Sequence, residues 1–238
     1  MSFFKRLFST KDDSSSDQSL DLSEGDIFYT HYDNQYHIYK LLVNDTSFEC
    51  YHVLTYKPID TLPNISDIES LEIYVYHSPF DKKAFADAKL LGNKPIKSDD
   101  LIGYHEYLRK TQSPDFYIPI ANRYYKAGYS LTTDKKHFEA IDEYSKAIDL
   151  FPQFFEAIDN RAFCKMDLGL FPDAIEDFKF SLQGNPNSML AEFSIGECYF
   201  KMSDYENAKT HFENAHKIDP NHKTPIMYLD KVNQILHG

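Results

Sequence analysis

"EAIDEYSKAIDLFP" occupies residues 139–152, "DAIEDFKFSLQGNP" residues 173–186 and "NAKTHFENAHKIDP" residues 207–220. The closing prolines Pro152, Pro186 and Pro220 lie 34 residues apart. The same register holds for Ala140, Ala174 and Ala208, for Tyr144, Phe178 and Phe212, for Ala147, Ser181 and Ala215, and upstream for Gly128, Ala162 and Gly196. From Phe116 onward the apolar spacing is helical and no strand pattern returns. Each period therefore holds two antiparallel helices joined by a short turn, such as "LGLF" (168–171) or "MSDY" (202–205). Small residues stand where the two helices must approach, and a larger side chain there costs roughly 1–3 kcal/mol as overpacking. The aromatics fill the space between one unit and the next, and each proline stops the second helix. One such hairpin cannot bury its apolar face alone, so the copies must stack.

This pattern resembles the tetratricopeptide repeat, over about residues 117–222. The resemblance implies repeats at about 117–154, 155–188 and 189–222, stacked into an all-α solenoid whose first helices line a concave side. "KTPIMYLDKVNQIL" then reads as a capping helix over about 224–236, with Ile226, Leu229, Val232 and Leu236 on one side. In the first copy, "KAGYSLTTDKKHFEA", the turn is polar and Phe138 falls one place late relative to Phe171 and Tyr205. A distorted turn or a lengthened first helix is expected there.

Families of this kind are scaffolds that hold a peptide or helix in the groove, so the expectation is a non-enzymatic adaptor for a protein partner. By helical spacing the exposed inner face carries Asn122, Tyr125, Lys126 and Tyr129 in the first copy. The second contributes Glu156, Asp159, Asn160, Phe163 and Asp167, and the third Leu190, Phe193, Ser194, Glu197 and Lys201. Asn160 offers both donor and acceptor to a peptide backbone, and the aromatics offer anchor pockets. Some members of the family grip a terminal carboxylate with Lys, Arg and Asn spread over three units. Only Asn160 fits that arrangement, because Leu190 and Ser194 stand where two of the basic residues would be expected. A chaperone-tail clamp is therefore not expected.

The amino-terminal half reads differently. "DIFYTHY", "QYHIYKLLV", "FECYHVLTY" and "LEIYVYHS" are dense in aromatic and β-branched residues and predict four strands. Asp33-Asn34 tolerates positive φ and predicts a tight hairpin between the first two. Helices are expected over 81–91 and 98–110, the second capped by Ser98 or Asp99. The chain is thus α+β: a flexible tail over 1–24, a small β-rich domain over 25–112, and the repeats over 116–238. In the tail, Phe3, Phe4, Leu7 and Phe8 would form one apolar stripe on a helix flanked by Lys5 and Arg6. That stripe reads as a frayed terminus or as a short docking helix, too short for stable membrane anchoring. The "GDIF" opening (25–28) and the aromatic strands after it are loosely similar to β-rich modules of bacterial immunity and ligand-binding proteins. That resemblance implies a second function: toxin neutralisation or small-ligand binding in a pocket lined by Tyr36, Tyr39, Tyr51 and His52, with the repeats as an oligomerisation arm.

Composition narrows the function classes. The 238 residues carry a net charge of −12, spread as −2 over 1–25, −4 over 26–112 and −6 over 113–238. No segment has the basic excess of a nucleic-acid binder. The acidity favours a partner with basic residues, and a homo-oligomer is compatible with the pattern. Three separated cysteines without CxxC fit a reducing compartment, and with no apolar run of membrane-span length the expected location is cytoplasmic. Catalytic glycine, serine and HExxH motifs are missing, and only 8 glycines are present. Cys50 and His52, with His31, His37 and His77 on other strands, do not have a spacing that promises convergence on a metal. Neither a metal nor a cofactor is called for.

Overall fold

The computed structural model describes residues 21–237. It divides the chain into two compact units, residues 1–110 and 111–238. The apolar stripe Phe3–Phe8 and most of the polar tail lie outside the described residues.

The first unit is built on an antiparallel sheet. Strands β1 (Asp26–Tyr32), β2 (Gln35–Asp45), β3 (Cys50–Tyr56) and β4 (Ile73–Asp81) form a meander, and β5 (Lys89–Asn93) pairs back onto β1, giving the order β4-β3-β2-β1-β5. Asp33 and Asn34 both adopt positive φ, 52° and 61°, which turns the β1–β2 hairpin in two residues. Side chains alternate between the faces. One face buries Phe28, Tyr39, Leu41, Tyr51 and Val53 together with Phe85 and Leu22. The other buries Ile38, Lys40, His52 and Leu54 and receives helix α1 (Ser98–Thr111), where Lys40 Nζ lies 2.7 Å from Asp100 and the His52 ring 4.9 Å from Tyr104. Asp100 also accepts from the backbone N–H of Lys97, closing the helix start.

Two expectations are corrected in this unit. The helix expected over 81–91 is a single 3-10 turn, Lys82–Phe85, followed by β5. Asp81 caps that turn through the Lys83 N–H, Phe85 drops into the aromatic core, and the chain beyond it satisfies the free edge of β1. Backbone pairing at an open sheet edge outweighs a short helical pattern there. Leu22, read as part of the tail, is 2% exposed in the core, so the chain is anchored from that residue on.

The second unit is all helix. The hairpins are α2 (Pro114–Thr133) with α3 (His137–Leu150), α4 (Phe155–Asp167) with α5 (Phe171–Gly184), and α6 (Met189–Lys201) with α7 (Tyr205–Ile218). Each helix packs on the next, and α8 (Lys223–His237) covers α7. The period is visible in the backbone. Lys135, Gly169 and Ser203, at equivalent turn positions, have φ of 60°, 76° and 63°. The following N–H of Lys136, Leu170 and Asp204 bonds the carbonyl of Leu131, Lys165 and Tyr199 at 2.9 Å in all three. At the other end Phe151, Asn185 and Asp219 leave the helix with φ of −130°, −136° and −130°. Each is the residue before a proline, where helical backbone is disfavoured.

The first-copy turn is therefore not distorted. His137 occupies the place of Phe171 and Tyr205, and Phe138 is left 68% exposed. Helix α2 is longer, 20 residues against 13 for α4 and α6, but it gains them at its start, from Pro114. A Cβ on Gly128 would lie 2.8 Å from the Tyr144 ring, and one on Gly196 2.7 Å from the Phe212 ring, so the small residues are set by interhelical distance. Within the second hairpin, Arg161 grips Asp177 through two bonds of 2.9 and 2.7 Å and Lys165 adds a third contact to Asp177, while Arg161 also reaches across to Ser145 on α3 of the first hairpin. In α8 the buried side is Pro225 and Val232 with Tyr228, Leu229 and Leu236 partly covered. Ile226, expected on that side, is 39% exposed because the helix is rotated to bring Pro225 and Tyr228 inward.

Candidate functional site

The candidate surface is the face formed by the first helices α2, α4 and α6. On α2, Tyr125, Tyr129 and Thr133 recur every fourth residue, with Lys126, Ser130 and Asp134 beside them. Together they line an open hollow of about 560 Å³. Tyr129 is 59% exposed, and Asn122 and Lys126 are also exposed. Tyr125 is half-buried, its ring 4.9 Å from Phe154 and 5.9 Å from Tyr144.

Asn160 on α4 ties this surface together. Its Nδ2 donates to the Glu156 carbonyl at 2.8 Å and to the Tyr125 hydroxyl at 3.3 Å. Only an amide N–H can face a carbonyl oxygen, so the orientation is fixed and Oδ1 is the group left to accept. The sequence expectation of donor and acceptor both free for a peptide is thus narrowed to an acceptor.

The remaining residues divide by burial. Asp167 and Leu190 are exposed. Phe163 and Phe193 are half-buried and belong to the packing: Phe163 meets Phe178 edge-on at 5.1 Å, and Phe193 meets Phe212 at 5.4 Å and Tyr228 at 5.3 Å. They line the surface less as open anchors than as its floor. Ser194 is 2% exposed, which corrects its placement on the exposed face. Helix α6 packs against both α5 and α7, leaving only a narrow open stripe. Asp159 is half-buried, and its Oδ1 is sealed from solvent without a hydrogen-bond partner. Burial pushes its carboxyl up; a hydrogen bond from Ser181 opposes this, while Glu156 and Asp177 add to it. On α8, burial pushes the Tyr228 phenol up, and the neighbouring Glu197 carboxylate of α6 adds to the shift.

The electrostatic character follows from these positions. Glu156, Asp159, Asp167 and Glu197 face only Lys126 and Lys201 among the inner-face residues. Sequence reasoning missed Ser130, Thr133 and Asp134, which continue the α2 rows by fourfold spacing, and Phe154 and Tyr228, which come from outside the first helices. The fourfold spacing was a usable signal for the first group; nothing in the sequence marked the second.

The alternative pocket of the sheet unit does not form. Tyr39 and Tyr51 are buried on one face with Phe28 and Phe85, and His52 is buried on the opposite face. Period-two alternation separates residues that looked adjacent. A smaller hollow of about 190 Å³, lined by Lys40, Tyr56, Ile68 and Lys97 among others, contains none of Tyr36, Tyr39, Tyr51 and His52. His52 Nδ1 and His77 Nε2 meet at 2.8 Å, but among the described residues no group of three His, Cys, Asp or Glu is placed to hold a metal. Nor is any described helix long and apolar enough to cross a membrane.

A stack of helix pairs with a 34-residue period, small residues at the crossing and αL turns defines a helical repeat protein. Residues 190–222 match the family model for the tetratricopeptide repeat, and the carboxy-terminal half is built of such repeats. The chain is 26% identical over 116 residues to Hsp70-Hsp90 organizing protein 1 of Glycine max, covering 48% of this chain and 20% of that protein. It is 28% identical over 102 residues to the protein SGT1 homolog of Bos taurus, covering 43% of this chain and 30% of that one. The match thus spans less than a third of either relative. Among solved structures, the first TPR of Spaghetti (RPAP3) bound to the HSP90 peptide SRMEEVD is 27% identical, with a TM-score of 0.47, covering 50% of this chain and 94% of that one.

Proposed function

We propose that this protein is a non-enzymatic adaptor that holds a peptide or helix of a protein partner on the α2–α4–α6 face. The observation that carries the reading is the hollow along α2, with Tyr129 standing open in it and Tyr125 locked to Asn160 of the next hairpin. An open hollow walled by two tyrosines and four polar residues, with the Asn160 amide bonded to one of those tyrosines, has the mix of apolar wall and few polar groups that suits a peptide. Relatives with matching segments are named as organizing proteins for Hsp70 and Hsp90, which supports an adaptor role in general terms. The specificity differs in kind from a carboxylate grip. Leu190 is exposed where a cation would be needed, Ser194 is buried, and Asn160 spends its amide hydrogens internally. Four carboxylates against two lysines favour a ligand with Lys or Arg beside an apolar anchor.

Tyr129→Ala with Leu190→Ala tests this in the full chain. Both side chains are more than half exposed, at 59% and 55%, so the fold should keep its melting temperature. A partner recovered by affinity purification and then titrated should bind the double variant at least about tenfold more weakly, the loss of about 1.4 kcal/mol expected of a peptide anchor. Unchanged affinity would remove this face as the site. Phe193, an obvious target from sequence, is a poor choice because its truncation would open the Phe212–Tyr228 packing.

A further inference from the structure

We propose that the hollow of about 190 Å³ in the first unit binds a small aliphatic monocarboxylate. The hollow lies wholly within that unit and is independent of the repeat face and its partner. Its floor is the sheet, where Ile27 pairs with Lys40 and Tyr56 with Ile73 across neighbouring strands. Ile68 and Glu69 come from a 3-10 turn (Ile65–Ser70). Lys94, Lys97 and Asp100 come from the connection between β5 and the first turn of α1. Five separate segments of chain thus converge on one small space.

Two ion pairs and one further cation set its charge. Lys40 Nζ lies 2.7 Å from Asp100 and Lys97 Nζ 2.9 Å from Glu69, so each acid already faces an ammonium. Lys94 makes neither an ion pair nor a side-chain hydrogen bond among the described residues, although after Lys97 it helps to hold the Glu69 carboxyl below its ordinary value. Three ammonium groups against two carboxylates leave a charge of +1, in a domain that totals −4 over residues 26–112. Donors are present as well. Lys40 is 5% exposed and spends two of its three N–H groups, on Asp100 and on the Pro95 carbonyl. Tyr56 is 6% exposed, and among the described residues its hydroxyl makes no hydrogen bond. Burial pushes that phenol up, and Asp100 and then Glu69 add to the shift, so the hydroxyl stays protonated as a donor. A buried hydroxyl without a partner is costly, and a bound acceptor removes that cost. A single negative charge matches the lining, whereas the second charge of a phosphate would stand against Glu69 and Asp100. Ile27, Ile68 and Ile73 give the remaining wall an aliphatic character. The volume is that of about six waters, enough for a ligand of about six to eight non-hydrogen atoms.

The probe is 4-methylpentanoate, titrated into the full-length protein and followed by NMR of isoleucine δ1-methyl groups. The uncharged 4-methylpentanamide and inorganic phosphate are titrated in parallel. The signals of Ile27, Ile68 and Ile73 should shift together, with a dissociation constant on the order of 0.5 mM, while those of Ile158 and Ile195 in the repeats stay in place. The amide and phosphate should bind at least about tenfold more weakly. Lys94→Met removes a cation that holds no partner, and Tyr56→Phe removes only a hydroxyl. Each should keep the melting temperature and weaken the carboxylate about fivefold or more. Amide or phosphate binding as tight as that of the carboxylate overturns the proposal. So does carboxylate binding that both variants leave unchanged, a response confined to the repeat isoleucines, or no saturable shift below about 10 mM. The comparison of acid with amide uses the wild type alone and decides the matter even where a variant fails to fold.

Discussion

Adding one methyl group at Gly196 tests how closely the hairpin geometry is set by residue size. The new Cβ would lie 2.7 Å from both Cδ1 and Cε1 of Phe212 and 3.3 Å from the Ala208 carbonyl oxygen. Relief to ordinary contact requires the ring to move by about 0.7 Å or more. Phe212 is fully buried, with Phe193 at 5.4 Å and Tyr228 at 5.1 Å, so there is no open side to move into. Overpacking of this kind costs about 1–3 kcal/mol, while Ala over Gly in a helix interior returns about 1 kcal/mol. The overpacking wins in all but its mildest form, and Gly196→Ala should lose up to about 2 kcal/mol. The second hairpin supplies an internal control, since Ala162 holds the same place against Phe178. Ala162→Gly loses helix propensity and a buried methyl together, also about 1–2 kcal/mol. Both substitutions, in opposite chemical directions, should therefore destabilise. Urea unfolding followed by helical ellipticity at 222 nm measures this. A Gly196→Ala protein more stable than wild type would refute the claim that interhelical distance selects glycine there.

Further outcomes follow from the same structure. At the turns, Ser203→Gly relieves a positive φ of 63° and should gain about 0.5–1 kcal/mol, whereas Gly169→Ala, at 76°, should lose about 1 kcal/mol; thermal melts of the two decide it. Asp177→Asn strands the Arg161 and Lys165 charges, which are 19% and 16% exposed, and should cost about 2–3 kcal/mol in the same urea assay, while Lys165→Met alone should cost clearly less. In the sheet unit, burial and then the neighbouring His52 hold the His77 imidazole down at about 4. An unfolded histidine charges near pH 6.5, so the unfolded state binds the extra proton first and stability falls as pH drops from about 6.5 toward 4. Discounted for partial exposure of the ring, the loss between pH 7 and pH 5 should be about 1–2 kcal/mol by tyrosine fluorescence, and His77→Gln should flatten it.

The repeat half was legible because its determinants are local and threefold. Gly128, Ala162 and Gly196 report a steric limit, and Pro152, Pro186 and Pro220 a backbone limit, and both survive any tertiary context. The first-copy turn misled because Phe138 drew attention to an aromatic one residue late, while the backbone took its cue from the αL position at Lys135. In the sheet unit the strands were readable from alternation, but β5 was not, since "AKLLGN" becomes a strand only when the free edge of β1 is present to pair with it. The site was half visible. Helical spacing put Tyr125, Tyr129 and Asn160 on the candidate face, yet which side of α6 is open depends on two neighbouring helices, and that buried Ser194. The orientation of the Asn160 amide is a three-dimensional property of Tyr125 and the Glu156 carbonyl, and no pattern in the sequence encodes it.

A photo-crosslinking amino acid placed at Tyr129, and separately at Phe138, compares the proposed face with an equally exposed aromatic on a second helix, at 59% and 68% exposure. In the full chain with its purified partner, the account predicts a covalent adduct from position 129 and none from 138. An adduct from 138 with none from 129 would contradict it.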